Sequence, residues 1–253
     1  MILNNLTSKP WAIDPRSFRA FRDTLAMVVD QEMFLNLSDL VNARPAAELD
    51  EDGTGHVWVQ DTLGDKMPAL WGMVGNTDYR QLREEVGTLA SAGATNLVLH
   101  IDSPGGMVAG LEEAGAAIIN AGLDTTAIVD GMACSAAYYL ACCADRIIAS
   151  PSSDVGNIGA VMAWEDDTAF WKSEGVEFNV LTNEGADLKG TFRESPMTSA
   201  QREFLQTELN RIGAEFRHHV DGNREVDPEV FRAGWYSGQR ALDLGLIDTL
   251  TTS

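Results

Sequence analysis

Basic residues are scarce in this chain. Lys and Arg together number 18 against 38 Asp and Glu over 253 residues, for a net charge of -20. A protein that grips nucleic acid through its phosphates needs a basic surface, so nucleic acid is not an expected partner. The same deficit argues against an anionic membrane surface. No run approaches the roughly 20 apolar residues of a membrane-spanning helix. The start, Met1-Ile2-Leu3-Asn4-Asn5-Leu6, has neither the basic flank nor the apolar stretch of a secretion signal. A cytoplasmic protein is expected. Cysteine is also rare: Cys134, Cys142 and Cys143 are odd in number and two are adjacent, which suggests no disulfide framework. No His/Cys spacing resembles a zinc site, and the three thiols read as small buried hydrophobes. Internal repeats and low-complexity runs are absent.

What is present suits a globular α/β protein: 45% hydrophobic and 22% charged residues, at a length fitting one large domain with an appendage. Ser17 to Phe34 has the spacing of an amphipathic helix, and Asn42 to Gly55 is polar and acidic, as a linker or surface loop is. Residues 1–55 are therefore expected to form an N-terminal helical extension and linker, and residues 56–253 the main domain. In that domain strands are expected at His56–Gln60, Ala69–Val74, Asn96–Ile101, Thr126–Val129, Arg146–Ala149, Ile158–Ala163 and Phe178–Thr182. Helices are expected at Asp78–Ala92, Met107–Ala121, Ser135–Ala144 and Ser199–Val220, the last with a capping box at Thr198 and Gln201. The run Asn96–Ile101 reads as a strand covered on both faces. Such alternation implies a mainly parallel sheet flanked by helices.

Two strand-turn-helix units carry the candidate chemistry. The first ends in Asp102-Ser103-Pro104-Gly105-Gly106, and the second in Asp130-Gly131-Met132-Ala133-Cys134-Ser135-Ala136. Turns from adjacent parallel strands converge at the carboxyl edge of the sheet, where α/β proteins place their sites. There the N–H groups of Gly105 or Gly106 and of Ala136 could flank the Ser135 hydroxyl, an acyl-transfer arrangement. A serine at a helix start is more often a simple N-cap. It also needs a base. His56, His100, His218 and His219 do not fall in the region after the serine where a triad histidine belongs. Of the four lysines, Lys9, Lys66, Lys172 and Lys189, the last sits in a loop before the long helix. Read alone, Lys189 is a solvated loop lysine.

From about Ala69 to Leu250 the chain resembles the signal peptide peptidase A family of serine peptidases. The resemblance rests on Asp102-Ser103-Pro104-Gly105-Gly106, Ser135-Ala136-Ala137-Tyr138-Tyr139, Ala144-Asp145-Arg146-Ile147, Gly156-Asn157-Ile158-Gly159 and Leu188-Lys189-Gly190. Pro196-Met197-Thr198, Gly238-Gln239-Arg240-Ala241 and Leu244-Gly245-Leu246-Ile247-Asp248 complete it. It implies a Clp-protease/crotonase-like fold, Ser135 as nucleophile, Lys189 as base, and an oxyanion hole from Gly105, Gly106 and Ala136. It further implies a polypeptide substrate, a ring-shaped homo-oligomer, and no metal or cofactor. Many cellular members carry Gly-Gly where this chain has Ala136-Ala137. The Ser-Ala-Ala-Tyr form resembles the phage head-maturation (prohead) protease branch, and so does Lys9-Pro10-Trp11-Ala12-Ile13. For that branch the implied partners are phage scaffold, portal and capsid proteins, in the host cytoplasm or the prohead interior. Three other readings stand beside it: a cellular signal-peptide-peptidase-like protease, a crotonase-like enzyme acting on acyl-CoA, and a non-catalytic capsid assembly protein with a degenerate peptidase domain.

Overall fold

Alternation of apolar and polar residues builds the central strands. In Thr54–Gly64 (β3) Val57 and Val59 are buried, while His56 and Trp58 between them are partly open. Asn96–Met107 (β5) buries Leu97, Leu99 and Ile101 in the same rhythm, and Asp124–Cys134 (β6) buries Thr125, Ala127 and Val129. A period of two places one residue set on each face of a sheet. One face is therefore fully packed and the other only half covered, which corrects the reading of Asn96–Ile101 as covered on both faces.

The computed structural model describes residues 11–13, 44–67, 75–164, 166–190 and 196–251. The expected helix Ser17–Phe34 and the expected strand Ala69–Val74 lie outside the described residues. The remaining strands are Trp11–Ile13 (β1), Glu48–Leu49 (β2), Thr77–Asp78 (β4), Arg146–Ala149 (β7), Asp154–Gly156 (β8), Trp235–Ser237 (β9) and Thr249–Leu250 (β10). They join one sheet with the path β10-β7-β6-β5-β3-β2; β4 pairs with β3, β8 with β6 and β9, and β1 with β5. The central pairs β3–β5, β5–β6, β6–β7 and β7–β10 are all parallel. The expected α/β architecture, a parallel sheet flanked by helices, is thus borne out.

The helices lie where apolar stripes demand cover. Tyr79–Ser91 (α1) is capped by Asp78, whose carboxylate accepts from Arg80 and Gln81 N–H, and it buries Tyr79, Leu82, Val86 and Leu89. Each large aliphatic side chain so buried contributes about 1.5–3 kcal/mol. Leu111–Asn120 (α2) starts four residues later than Met107, because β5 continues straight through Pro104-Gly105-Gly106 to Met107. Ala136–Ala141 (α3) is buried except at Tyr139, which is partly open; its Tyr138 hydroxyl donates to the Leu246 carbonyl at 2.8 Å. Thr168–Ser173 (α4) buries no residue. Ser199–Asn223 (α5) carries the expected capping box, but only Gln201, Phe216 and Val220 are buried along it. Gly238–Asp243 (α6) returns the chain to the sheet, ahead of β10.

Two expected strands are absent. Ile158–Ala163 forms no strand, the local strand being β8 just before it, and Phe178–Thr182 has no regular structure and lies exposed. The acidic stretch read as a loop contains β2, which pairs antiparallel with β3 through Glu48↔His56 and Leu49↔Gly55. Just before it, the buried Arg44 guanidinium donates to both oxygens of Glu85 at 2.8 Å and to the Trp58 carbonyl at 3.1 Å. All three cysteines are buried and none forms a disulfide, as expected, and burial pushes the Cys142 thiol up to about 12.

Candidate active site

β5 and β6 pair in step from Asn96↔Asp124 to Ile101↔Val129, and the next pair is Ser103↔Ala133. Between these pairs β5 advances two residues (101 to 103) while β6 advances four (129 to 133). Asp130, Gly131 and Met132 therefore bulge opposite Asp102. A bulge of this kind bends its strand and re-aims the residues beyond it. The Asp102 carboxylate holds it by accepting the Met132 N–H at 3.0 Å. Gly131 has to lack a side chain, because a Cβ there would run into that same carboxylate.

The bulged strand delivers Ser135 at the start of α3 with φ 56° and ψ -119°. A non-glycine residue held in such a region stores roughly 1–3 kcal/mol of strain. The turn is pinned by its own backbone: Ser135 N–H donates to the Gly156 carbonyl at 2.7 Å, and Tyr139 N–H donates to the Ser135 carbonyl at 3.0 Å. The side chain makes no capping bond, so the simple N-cap role does not apply. Its Oγ donates instead to the Gly159 carbonyl at 3.4 Å, long for a hydroxyl donor, and Ser135 is 0% exposed. A serine on a strained strand-to-helix turn is the geometry of a nucleophile elbow.

Ala136 comes next as the first residue of α3, where the N–H groups have no intrahelical acceptor. On β5, Gly105 has φ 102°, and its N–H donates to Ser103 Oγ at 3.1 Å. Ser103 Oγ in turn donates to the Asp61 carbonyl at 2.5 Å. A Cβ on Gly106 would overlap the Leu63 carbonyl, so only glycine lets β3 approach β5 here. Ser135 and Ala136 thus follow the end of β6, and Gly105 and Gly106 lie at the end of its parallel neighbour β5, at the sheet's carboxyl edge. The sequence reading does not single out Asp102 and Ser103 as site residues, yet they fix the bulge and the glycine turn. Their place inside the Asp-Ser-Pro-Gly-Gly run is the available signal.

Lys189 is not part of this group. It is exposed, in a turn closed by its own N–H to the Ala186 carbonyl at 3.1 Å. In the stretch leading to it Phe178, Val180, Leu181 and Leu188 are also exposed, Leu181 to 97%. His56, His100 and His219 are engaged elsewhere. His100 Nε2 and His56 Nδ1 are 3.0 Å apart, and His100 stacks on Trp58. Burial, with His56 second, lowers the His100 pKa. His219 stacks on Tyr139 at 3.7 Å between ring centres, and burial lowers its pKa too.

A strained serine on a turn between a parallel strand and a buried helix is an arrangement shared with nucleophilic hydrolases. Residues 118–253 match the profile of Peptidase family S49, and the chain belongs to that family. The matched region contains Ser135 and Lys189. The chain is 27% identical over 214 residues to Probable protease SohB of Haemophilus influenzae, covering 81% of this chain and 58% of that one. It is 31% identical over 202 residues to Capsid assembly protease C of Escherichia phage lambda, covering 77% of this chain and 46% of the phage protein. The family match and these two likenesses bear out the resemblance drawn from the sequence. Among solved structures, a mutant membrane-bound stomatin-specific protease in complex with a substrate peptide is 12% identical, with a TM-score of 0.41 over 78% of this chain and 75% of that chain. The chain spans about half the length of the curated relatives it matches. No helix among the described residues is long and apolar enough to cross a membrane.

Proposed function

We propose that this chain is a serine endopeptidase in which Ser135 is the nucleophile and Lys189 the base. Neutral Lys189 accepts the Ser135 proton as Oγ attacks the peptide carbonyl, and the lysinium then protonates the leaving amine. Water enters, Lys189 takes its proton, and the acyl-enzyme is hydrolysed. Ala136 N–H is the first oxyanion donor. Gly105 N–H already serves Ser103 Oγ, which makes Gly106 the preferred donor from the glycine pair. The observation that carries the reading is the strained, pinned backbone of Ser135 in a chain of family S49. A shell component without catalysis gives that strain no purpose.

The dyad is completed between copies of the chain. Exposure of Lys189 and of the apolar residues leading to it supports this, because a lysine that is to lose its proton near neutrality must leave water. A neighbouring copy covering Leu181 and Leu188 would desolvate Lys189 and bring it to a second Ser135. The lone chain would then be inactive. Similarity to Capsid assembly protease C of phage lambda makes phage capsid or scaffold polypeptides the preferred substrates, and a host-cytoplasm or prohead setting the preferred location.

The test is complementation. Ser135→Ala and Lys189→Ala are each inactive on labelled casein, and mixing them restores part of the activity. Mixed oligomers that form without any return of activity place both residues in one chain.

A further inference from the structure

Along most of its length β5 has parallel neighbours, β3 on one edge and β6 on the other. The β6 edge ends at Ser103↔Ala133, after which β6 turns away into Ser135 and α3. On the opposite edge β3 continues to Leu63↔Gly106. The last residues of β5 are therefore open on the side of the serine. That opening is filled by β1, antiparallel, in the register Trp11↔Met107, Ala12↔Gly106 and Ile13↔Gly105.

Polarity matters here. Trp11 lies at the far end of β5, and Ile13 lies opposite Gly105, two residues beyond the Ser103 that pairs next to the bulge. The backbone of β1 thus runs toward the Ser135 turn. Nothing on β5 blocks such a strand: Gly105 and Gly106 leave its edge without side chains. Ser135, beside this edge, is fully buried.

We infer that residues 11–13 of this chain are a tethered occupant of the edge where a polypeptide substrate must add, so that the N-terminal segment acts as a competitor carried by the enzyme itself. This rests on the peptidase reading above only for what the edge is used for. The occupancy itself can be measured without catalysis. A tethered strand competes at an effective concentration in the millimolar range, so even a weakly held one hinders an untethered peptide.

The probe is a fluorescent peptide of the sequence Ser8 to Arg16, followed by polarisation, with Ser135→Ala as background in every chain so that nothing is cut. The full chain should bind it roughly threefold or more weakly than two altered chains. One is Ala12→Pro in the full chain, which removes an N–H from β1 and disfavours its pairing. The other lacks residues 1–13. Equal binding by all three chains, or binding by none, overturns the inference. In parallel, casein cleavage with Ser135 intact should show a lower KM in Ala12→Pro with kcat unchanged. Release of the probe site without any casein cleavage leaves the occupancy standing and removes the peptidase reading instead.

Discussion

Ser135 N–H donates to the carbonyl of Gly156 at 2.7 Å, and this bond locks a serine into a backbone conformation that suits glycine. Its side chain makes no cap bond that could offset the strain. Removing the Cβ should therefore relieve it. Ser135→Gly is expected to unfold at higher denaturant than Ser135→Ala, by about 1 kcal/mol, with both variants inactive. Urea titrations of the two check this, and a glycine variant less stable than the alanine variant contradicts it.

Two glycines should respond in opposite directions. Gly106→Ala forces a methyl against the Leu63 carbonyl, so β3 and β5 must part, at a cost of roughly 2–4 kcal/mol. Gly87, within α1, has nothing within 4 Å of a built Cβ. Gly87→Ala should gain about 0.5–1 kcal/mol. Thermal melts of both distinguish a packing role from a purely conformational one.

Arg44 and Glu85 form a bidentate pair with side chains 4% and 14% exposed. Truncating one partner leaves the other charge buried and unpaired. Arg44→Ala should cost about 3 kcal/mol, and the double variant Arg44→Met with Glu85→Leu should recover most of it. If the single change is neutral, the Arg44–Glu85 pair is not what holds the chain ahead of β2 against α1.

His219 gives a sign for pH. Burial lowers its pKa below 6.5, against the opposing bond to the Tyr139 carbonyl. The unfolded chain then takes up the proton before the folded one does. Stability is full above 6.5 and falls as pH drops through that value toward the lowered folded pKa. His100 acts in the same direction. Unfolding free energies measured from about pH 7.5 to 5.5 should decline, and His219→Gln should flatten the slope. A parent whose stability rises on acidification over that range contradicts the burial argument.

Much of this architecture was legible because burial writes itself as periodicity. β7 falls at Arg146–Ala149 as expected, and α5 starts at the expected capping box. Errors cluster where long-range pairing overrides local signals. Pro104-Gly105-Gly106 reads as a turn, yet β3 and β1 pair with the two glycines as strand. Phe178–Thr182 has strand-like composition but no neighbour among the described residues to pair with. At the candidate site, Ser135 and the glycines were singled out by the family resemblance, two strand-turn-helix motifs alone being equally the marks of an N-cap and a turn. The β6 bulge that aims the serine depends on Asp102 reaching Met132 across 30 positions, which no local pattern encodes. In the proposed dyad, the meeting of a loop lysine with its serine is likewise set by assembly, not by spacing.

Ser135 as nucleophile is tested most directly by covalent labelling. The full chain, at a concentration where it cleaves casein, is treated with a fluorophosphonate and digested for mass spectrometry. The predicted result is one adduct, on the peptide containing Ser135, lost in Lys189→Ala. An adduct on another residue, or casein cleavage that survives with Ser135 unmodified, contradicts it.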